Sequence, residues 1–194
     1  LLNPVEIEDI EARLADALTG TQRIREVSRG LGTFSRVEQD ELVEVDLGQV
    51  MDVAADMAYN EIKYRARLVK DHEVELPMVL ASEGRLSQVF LNLIINATHA
   101  IDEGDLEHNE IRLTTWSEGD RVCARVSDTG SGIRPDNLAK LFEPFFSTKP
   151  IGSGSGLGLS ISKNIVEGYE GSIEVESEVG RGTAFTIRLP AGIR

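Results

Sequence analysis

The stretch Ser153-Gly-Ser-Gly-Leu-Gly-Leu-Ser-Ile-Ser162 sets three glycines, Gly154, Gly156 and Gly158, at every second position and then runs into an apolar segment with helical spacing. With no Cβ in the way, such a backbone can bring consecutive N–H groups up to an anion. A helix beginning at its end adds the positive end of the helix dipole. Two readings follow: a phosphate cradle, or a flexible linker ahead of an unrelated helix. The usual phosphate-loop patterns do not choose between them, since no Gly-Lys-Ser/Thr closes the loop and the spacing is not Gly-x-Gly-x-x-Gly. Whatever binds here must be completed by other parts of the chain.

Working outward, the glycine loop feeds a helix to about Gly168, followed by a hairpin of strands over 172–177 and 183–189, turned at Gly180 and Gly182. Upstream, Asp46 can cap a helix over 47–61, and strands are expected over 64–71 and 77–81. Ser82 opens a strongly amphipathic helix to about Ile101. Strands over 111–117 and 121–128 are joined by the turn Glu118-Gly119-Asp120; Pro135 begins a short helix, and an irregular segment covers 143–156. Helices first and hairpin strands later predict an α/β (α+β) two-layer sandwich. Its sheet is mixed, mostly antiparallel, and covered on one face by helices. Residues 5–36 form a helical appendage, one long helix or two broken near Gly20, with apolar positions Ile7, Ile10, Leu14, Leu18, Ile24, Val27, Leu31 and Phe34. That stripe needs a partner, its own domain or a second copy, and dimerisation is the reading adopted. Residues 38–44 read as a polar connector.

The chain has 194 residues, 41% hydrophobic and 27% charged, which fits one ordinary globular domain with an appendage. A net charge of −13 argues against a nucleic-acid surface, which needs clustered positive charge. Cys123 is the single cysteine, so no intrachain disulfide forms and a reducing, cytoplasmic compartment fits. No apolar run approaches the ~20 residues of a membrane span. The chain begins at Leu1 rather than Met, so it is expected to be a piece of a longer protein that is itself free to be membrane-anchored.

Three stretches carry chemistry. Within the helix from Leu86 to Ile101, Asn92, Asn96 and His99 stand at i, i+4 and i+7 and share a stripe apart from the apolar face. Amide oxygens suit a hard cation such as Mg²⁺, which keeps waters and takes its other ligands from phosphates. The alternative is that both amides face solvent or cap a loop. On the strand before Asp128-Thr-Gly-Ser-Gly-Ile133, Val122, Ala124, Val126 and Asp128 share one face. A carboxylate ending an apolar row needs a donor, and an exocyclic amine is a suitable one; the alternative is an exposed Asp-Gly turn. In Leu141-Phe-Glu-Pro-Phe-Phe-Ser-Thr-Lys149, three phenylalanines suggest a loop anchored by aromatic burial, and Lys149 either reaches a phosphate or is an ordinary surface lysine.

In order and spacing these residues resemble the ATP-binding domain of bacterial sensor histidine kinases, a fold shared with gyrase, MutL and the Hsp-type chaperone ATPases. Asn92-x-x-x-Asn96-Ala resembles that family's N box and Asp128-x-Gly-x-Gly its G1 box. Phe142-Glu-Pro-Phe-Phe resembles the F box, Gly154-Ser-Gly-Leu-Gly-Leu159 the G2 box, and Gly180-Arg-Gly-Thr183-Ala-Phe185 the closing glycine-threonine element. The resemblance covers about residues 46–190.

The resemblance implies ATP and Mg²⁺ as ligands, with Asn96 on the metal and Asn92 beside it as the catalytic pair. It implies Asp128 on the adenine amine with Thr183 in support, and Gly130 and Gly132 allowing the backbone to approach the base. Gly154, Gly156 and Gly158 would close over the phosphates within a lid at about 134–157. Ile133, Phe142, Phe146, Lys149, Ser155 and Leu157 complete the implied ATP contacts. His99 stands where many relatives place a basic residue, although an imidazole is only partly charged near neutral pH. Hydrolysing members of the superfamily carry Glu where this chain has Asn92, and an amide cannot accept a proton from water.

Ile24-Arg-Glu-Val-Ser-Arg…Leu31-Gly-Thr-Phe-Ser-Arg36 is similar to the second helix of the dimerisation and histidine-phosphotransfer hairpin of nitrogen-regulator-type kinases. Residues 1–37 would then be part of that hairpin, 38–45 a linker and 46–194 the catalytic domain. The resemblance implies a phosphoacceptor histidine on an upstream helix, since His72, His99 and His108 all fall in the ATP-binding part. It also implies a homodimer through the N-terminal helix and a response-regulator partner, with neither nucleic acid nor membrane contacted by this segment. Other functions of the same fold are a serine protein kinase of the anti-sigma-factor kind, an ATPase clamp of the gyrase or MutL kind, and a binding module without catalysis.

Overall fold

Asp46 starts the first helix, α1 (Leu47–Ile62), by accepting hydrogen bonds at Oδ1 from the N–H groups of Gly48 (2.8 Å) and Gln49 (3.1 Å). The computed structural model to which it belongs describes residues 41–149 and 155–192, together with Arg13. Apart from Arg13, the expected appendage over 5–36 lies outside the described residues, as do the first part of the 38–45 connector and residues 150–154 of the expected lid, Gly154 among them. The buried stripe of α1, Leu47, Val50, Met51, Ala54, Ala55, Ala58 and Ile62, recurs every three or four residues and packs on the second long helix, α2 (Glu83–Ala100). Ser82 caps α2 at the Arg85 N–H, and its own N–H donates to the Tyr169 hydroxyl at 3.2 Å.

The last residues of the expected connector prove to be a strand, β1 (Val43–Val45), paired antiparallel with β3 (Val79–Ala81). The reason is visible in retrospect: Val43 and Val45 flank Glu44, so alternation turns Val45 inward while Glu44 stays in water. Three residues are too few for that alternation to stand out from a polar connector.

The main sheet has five strands in the order β2 (Arg67–His72), β4 (Glu110–Glu118), β5 (Arg121–Asp128), β7 (Gly182–Pro190), β6 (Ser172–Glu178). Only the β2–β4 pair is parallel, so the sheet is mixed and mostly antiparallel, as expected. Parallel pairing requires a long crossover, and the segment holding β3 and α2 supplies it. Register lines up one row per strand on the helix side: Leu113 with Val126, Val126 with Phe185, and Phe185 with Val175. Facing them are Leu86, Val89, Phe90, Leu93, Ile94 and Ala97 of α2, together with Ile161, Ile165 and Val166 of α4 (Gly158–Gly168). A single turn of helix, α3 (Pro135–Leu138), precedes the irregular segment.

The opposite sheet face is polar. Arg125 lies over the Trp116 ring (5.5 Å to its centroid), donates to Thr186 Oγ1 and pairs with Glu176, while Arg188 joins Glu118 to Glu174. Among the described residues, helices therefore cover one face only, and the site forms where the ends of β5 and β7 meet α2 and α4.

Candidate functional site

A cleft of about 590 Å³ opens between α2, the β5–α3 loop, the segment around Lys149 and the start of α4. It brings together twelve residues picked out in the sequence: Asn92, Asn96, His99, Asp128, Gly132, Ile133, Phe146, Lys149, Ser155, Gly156, Gly158 and Thr183. Gly130, Phe142 and Leu157 support it without lining it, and Gly154 is outside the described residues.

Asp128 sits where strand parity put it, at the end of the row Val122, Ala124, Val126 and opposite Thr183. Its Oδ1 accepts from the N–H groups of Gly130 (2.8 Å) and Thr183 (3.3 Å). Burial pushes its pKa up to about 6, and those two donors offset only part of the effect. The result is a carboxyl group held at the wall of the cleft, where its charge becomes cheaper if a further donor arrives.

The loop after Asp128 is held by backbone contacts. Ser131 N–H donates to Ala100 O (2.9 Å), and Gly180 N–H to Ser131 O (2.8 Å). A Cβ on Gly130 would run into the Ala100 carbonyl, and one on Gly132, whose φ is +69°, into the Glu178 carbonyl. The resemblance gives these glycines to the close approach of a base; here protein backbone already requires them. Ser177, which the sequence reading passed over, clips the same loop. It accepts from Ile133 N–H at 2.8 Å and lies 2.9 Å from Thr183 Oγ1. The available signal was parity, since Ser177 continues the row of Ile173 and Val175.

On α2, Asn92 and Asn96 are half-buried and His99 is exposed at the rim. Asn92 Nδ2 donates to Ser162 Oγ on α4 (3.0 Å), and Asn96 Nδ2 reaches toward Asn92 Oδ1 (3.5 Å). Lys149 Nζ then donates to Asn96 Oδ1 (3.2 Å) and to His99 Nδ1 (2.9 Å). Partial burial of the imidazole, followed by the Lys149 and Arg65 cations, lowers the His99 pKa against the opposing pull of Glu61. A neutral ring accepting from an ammonium is the consistent state, so His99 acts here as an acceptor.

No side chain among the described residues caps α4, whose first residues Gly158 and Leu159 line the cleft, and an uncapped helix start offers N–H donors to an anion. Gly158 packs so tightly on α2 that a Cβ would meet Asn92 Oδ1. Of the three phenylalanines, Phe142 and Phe146 pack against the core, whereas Phe145 is 70% exposed. Its φ of 67° turns it outward while its N–H donates to Gly156 O (2.9 Å), joining the two ends of the irregular segment. Two rings therefore anchor this segment, and the third residue serves as its backbone clasp.

The described residues hold no cluster of three His, Cys, Asp or Glu side chains fit to cage a metal. A neutral amide oxygen that already receives a cation, as Asn96 Oδ1 receives Lys149, is nevertheless a suitable single ligand for a hard ion that brings waters and phosphate with it.

The family model described as "Histidine kinase-, DNA gyrase B-, and HSP90-like ATPase" matches residues 81–193. The sensor kinase CckA of Brucella abortus is 36% identical over 179 residues, which is 87% of this chain and 19% of that protein. The sensory histidine kinase/phosphatase NtrB of Rhizobium meliloti is 34% identical over 185 residues, 88% of this chain and 47% of the relative. The chain thus spans under half the length of these relatives. Among solved structures, full-length ShkA in complex with AMPPNP superposes with a TM-score of 0.75 at 26% identity, covering 100% of this chain and 40% of that one. The catalytic domain of histidine kinase ThkA gives a TM-score of 0.67 at 28% identity, covering 78% and 96%.

Proposed function

Because the chain belongs to the histidine kinase-, DNA gyrase B- and HSP90-like ATPase family and carries its ATP-binding catalytic domain, we propose that it passes the γ-phosphoryl group of Mg-ATP to a histidine on an upstream dimerisation helix. The observation that carries this reading is that the amide pair Asn92–Asn96, the start of α4 packed beside it and Asp128 all line one cleft. In the proposal Asp128 accepts the adenine amine, Thr183 supports it, and Ile133 and Phe146 flank the base. Lys149 and the N–H groups of Gly156 and Gly158 face the phosphates.

Asn96 Oδ1 would hold Mg²⁺, which when bound spreads the negative charge of the triphosphate. Asn92 has no basic lone pair for water, so hydrolysis from that position is not supported. Phosphoryl transfer needs mainly positioning and charge stabilisation, which this cleft can supply. The irregular segment within 134–157 serves as the lid.

Beyond the cleft, residues 1–37 are proposed as part of the dimerisation and phosphotransfer hairpin, residues 38–45 as the join, and residues 46–194 as the catalytic domain. The whole protein would act as a homodimer and hand its phosphoryl group to the aspartate of a response-regulator receiver domain. No helix of the described residues is long and apolar enough to cross a membrane, and the proposed site of action is the cytoplasm.

The test is incubation with Mg²⁺ and γ-labelled ATP, with and without a longer chain that includes the upstream helix. Acid-labile label on a histidine, present only when that helix is present, is the expected result. Acid-stable label on serine overturns it in favour of a serine kinase.

A further inference from the structure

The amide chain across the cleft has a direction, which a donor-only lysine sets at its outer end and a buried hydroxyl supports at its inner end. Lys149 Nζ is donor-only, so where it meets Asn96 it must meet Oδ1. That leaves Asn96 Nδ2 toward Asn92, which must answer with Oδ1, and leaves Asn92 Nδ2 toward Ser162 Oγ at 3.0 Å. Ser162 is 2% exposed and lies one turn along α4 from Gly158, whose missing side chain keeps the space that Asn92 Oδ1 occupies. An asparagine amide rotated by half a turn has nearly the same shape. Only hydrogen-bond partners therefore choose its orientation. A serine hydroxyl can donate or accept, so the donor-only Lys149 selects this orientation, and Ser162 Oγ holds it by accepting from Asn92 Nδ2.

From this geometry we infer that Ser162 is a positioning residue: by accepting from Asn92 Nδ2 it steadies the amide pair and so helps hold the oxygen of Asn96 toward the cleft, where it can serve a cation bound with the nucleotide. The inference rests on the reading of Asn96 as the metal-holding residue. It assigns Ser162 no contact with nucleotide. Removal of the hydroxyl leaves Asn92 Nδ2 without its acceptor and lets both amides rotate. A rotated Asn96 presents N–H groups, which repel any cation. The hydroxyl of threonine at the same place retains the acceptor.

The test is calorimetric titration of the domain with AMPPNP, with and without Mg²⁺, for the native chain, Ser162→Ala, Ser162→Thr and Asn96→Ala. Side-chain amide NMR of Asn92 is recorded alongside. The expected result for Ser162→Ala is a loss of about tenfold in the affinity that Mg²⁺ adds, with Mg²⁺-free binding unchanged and Ser162→Thr close to native. The Asn92 NH₂ signals should also lose their protection from solvent exchange. If Ser162→Ala keeps the full Mg²⁺ gain while Asn96→Ala loses it, the positioning role is overturned and the metal reading stands. If Ser162→Ala weakens Mg²⁺-free binding equally, or threonine fails to rescue, Ser162 is a packing residue and the inference fails. If Asn96→Ala keeps the Mg²⁺ gain, the metal reading falls and takes this inference with it.

Discussion

The Nζ of Lys149 lies 3.2 Å from Oδ1 of Asn96, so a cation from the irregular segment meets the α2 amide oxygen that the proposed function gives to the metal. The same ammonium is 2.9 Å from His99 Nδ1, which ties this segment to α2 at two points. One oxygen cannot serve an ammonium and a metal equally well. Binding of Mg-ATP should therefore release Lys149 from Asn96 toward the phosphates, where a point charge on a flexible stem is useful.

Lys149→Gln should consequently weaken ATP binding by about tenfold, the scale of one charge-assisted hydrogen bond, and leave adenosine binding almost unchanged. Titration of both ligands into the same variant separates the two effects. Equal losses for ATP and adenosine would mean that Lys149 shapes the cleft rather than contacting phosphate.

Asp128 makes binding pH-dependent. An adenine amine donates more strongly to the ionised carboxylate than to the protonated group, and in the free protein the ionised form gives way as pH falls through about 6. Affinity for ATP should be flat above pH 7 and weaker at pH 5 by at most about tenfold, since a group with a pKa near 6 is then mostly protonated. Bound nucleotide should in turn lower the Asp128 pKa. A pH series of titrations checks this; a flat profile down to pH 5 would remove Asp128 from the base-binding role.

The same carboxyl group costs the free domain stability. Its folded pKa of about 6 exceeds the ordinary 3.8, so between those values the folded state holds more proton than the unfolded state, and stability falls as pH rises through the window. Above pH 6 the full cost applies, at most about 3 kcal/mol. Asp128→Asn keeps an oxygen for the Gly130 and Thr183 N–H groups and removes the charge. It should unfold at a higher temperature than the native chain at pH 8, show no advantage near pH 4, and lose the thermal shift that ATP gives the native chain. Thermal melts at both pH values, with and without ATP, supply the comparison.

What could be read from the sequence was whatever a single element fixes by its own period. Asn92 and Asn96 share a stripe because a helix repeats every 3.6 residues, and Asp128 joins Val122, Ala124 and Val126 because a strand repeats every two. Both readings hold in the structure. Features set by the meeting of two distant segments were not legible. Ser162 matters only because α4 lies against α2, and Gly130 is required only because the Ala100 carbonyl stands beside it. The parallel β2–β4 pair likewise depends on a crossover that no local pattern reports. Phe145 resembled its two neighbouring phenylalanines in sequence, and a positive φ separated it from them.

Gly158 and Gly168 begin and end the same helix, α4, and should respond in opposite ways to alanine. A Cβ at Gly168 meets nothing within 4 Å, so Gly168→Ala should be neutral or stabilising by about 1 kcal/mol through helix propensity. At Gly158 the same methyl group meets Asn92 Oδ1 and must push either the amide or the helix aside. Overpacking of that kind costs about 1–3 kcal/mol, partly offset by the same propensity gain, so Gly158→Ala should still fold with a modestly lower melting temperature. Its larger effect should be on ligand: with Asn92 displaced, Asn96 loses the partner that holds its amide, and Mg²⁺-dependent ATP binding should fall by more than about tenfold. Parallel melts and ATP titrations of the two variants check this. Full ATP binding by Gly158→Ala would show that the contact between α4 and Asn92 is packing without consequence for the site.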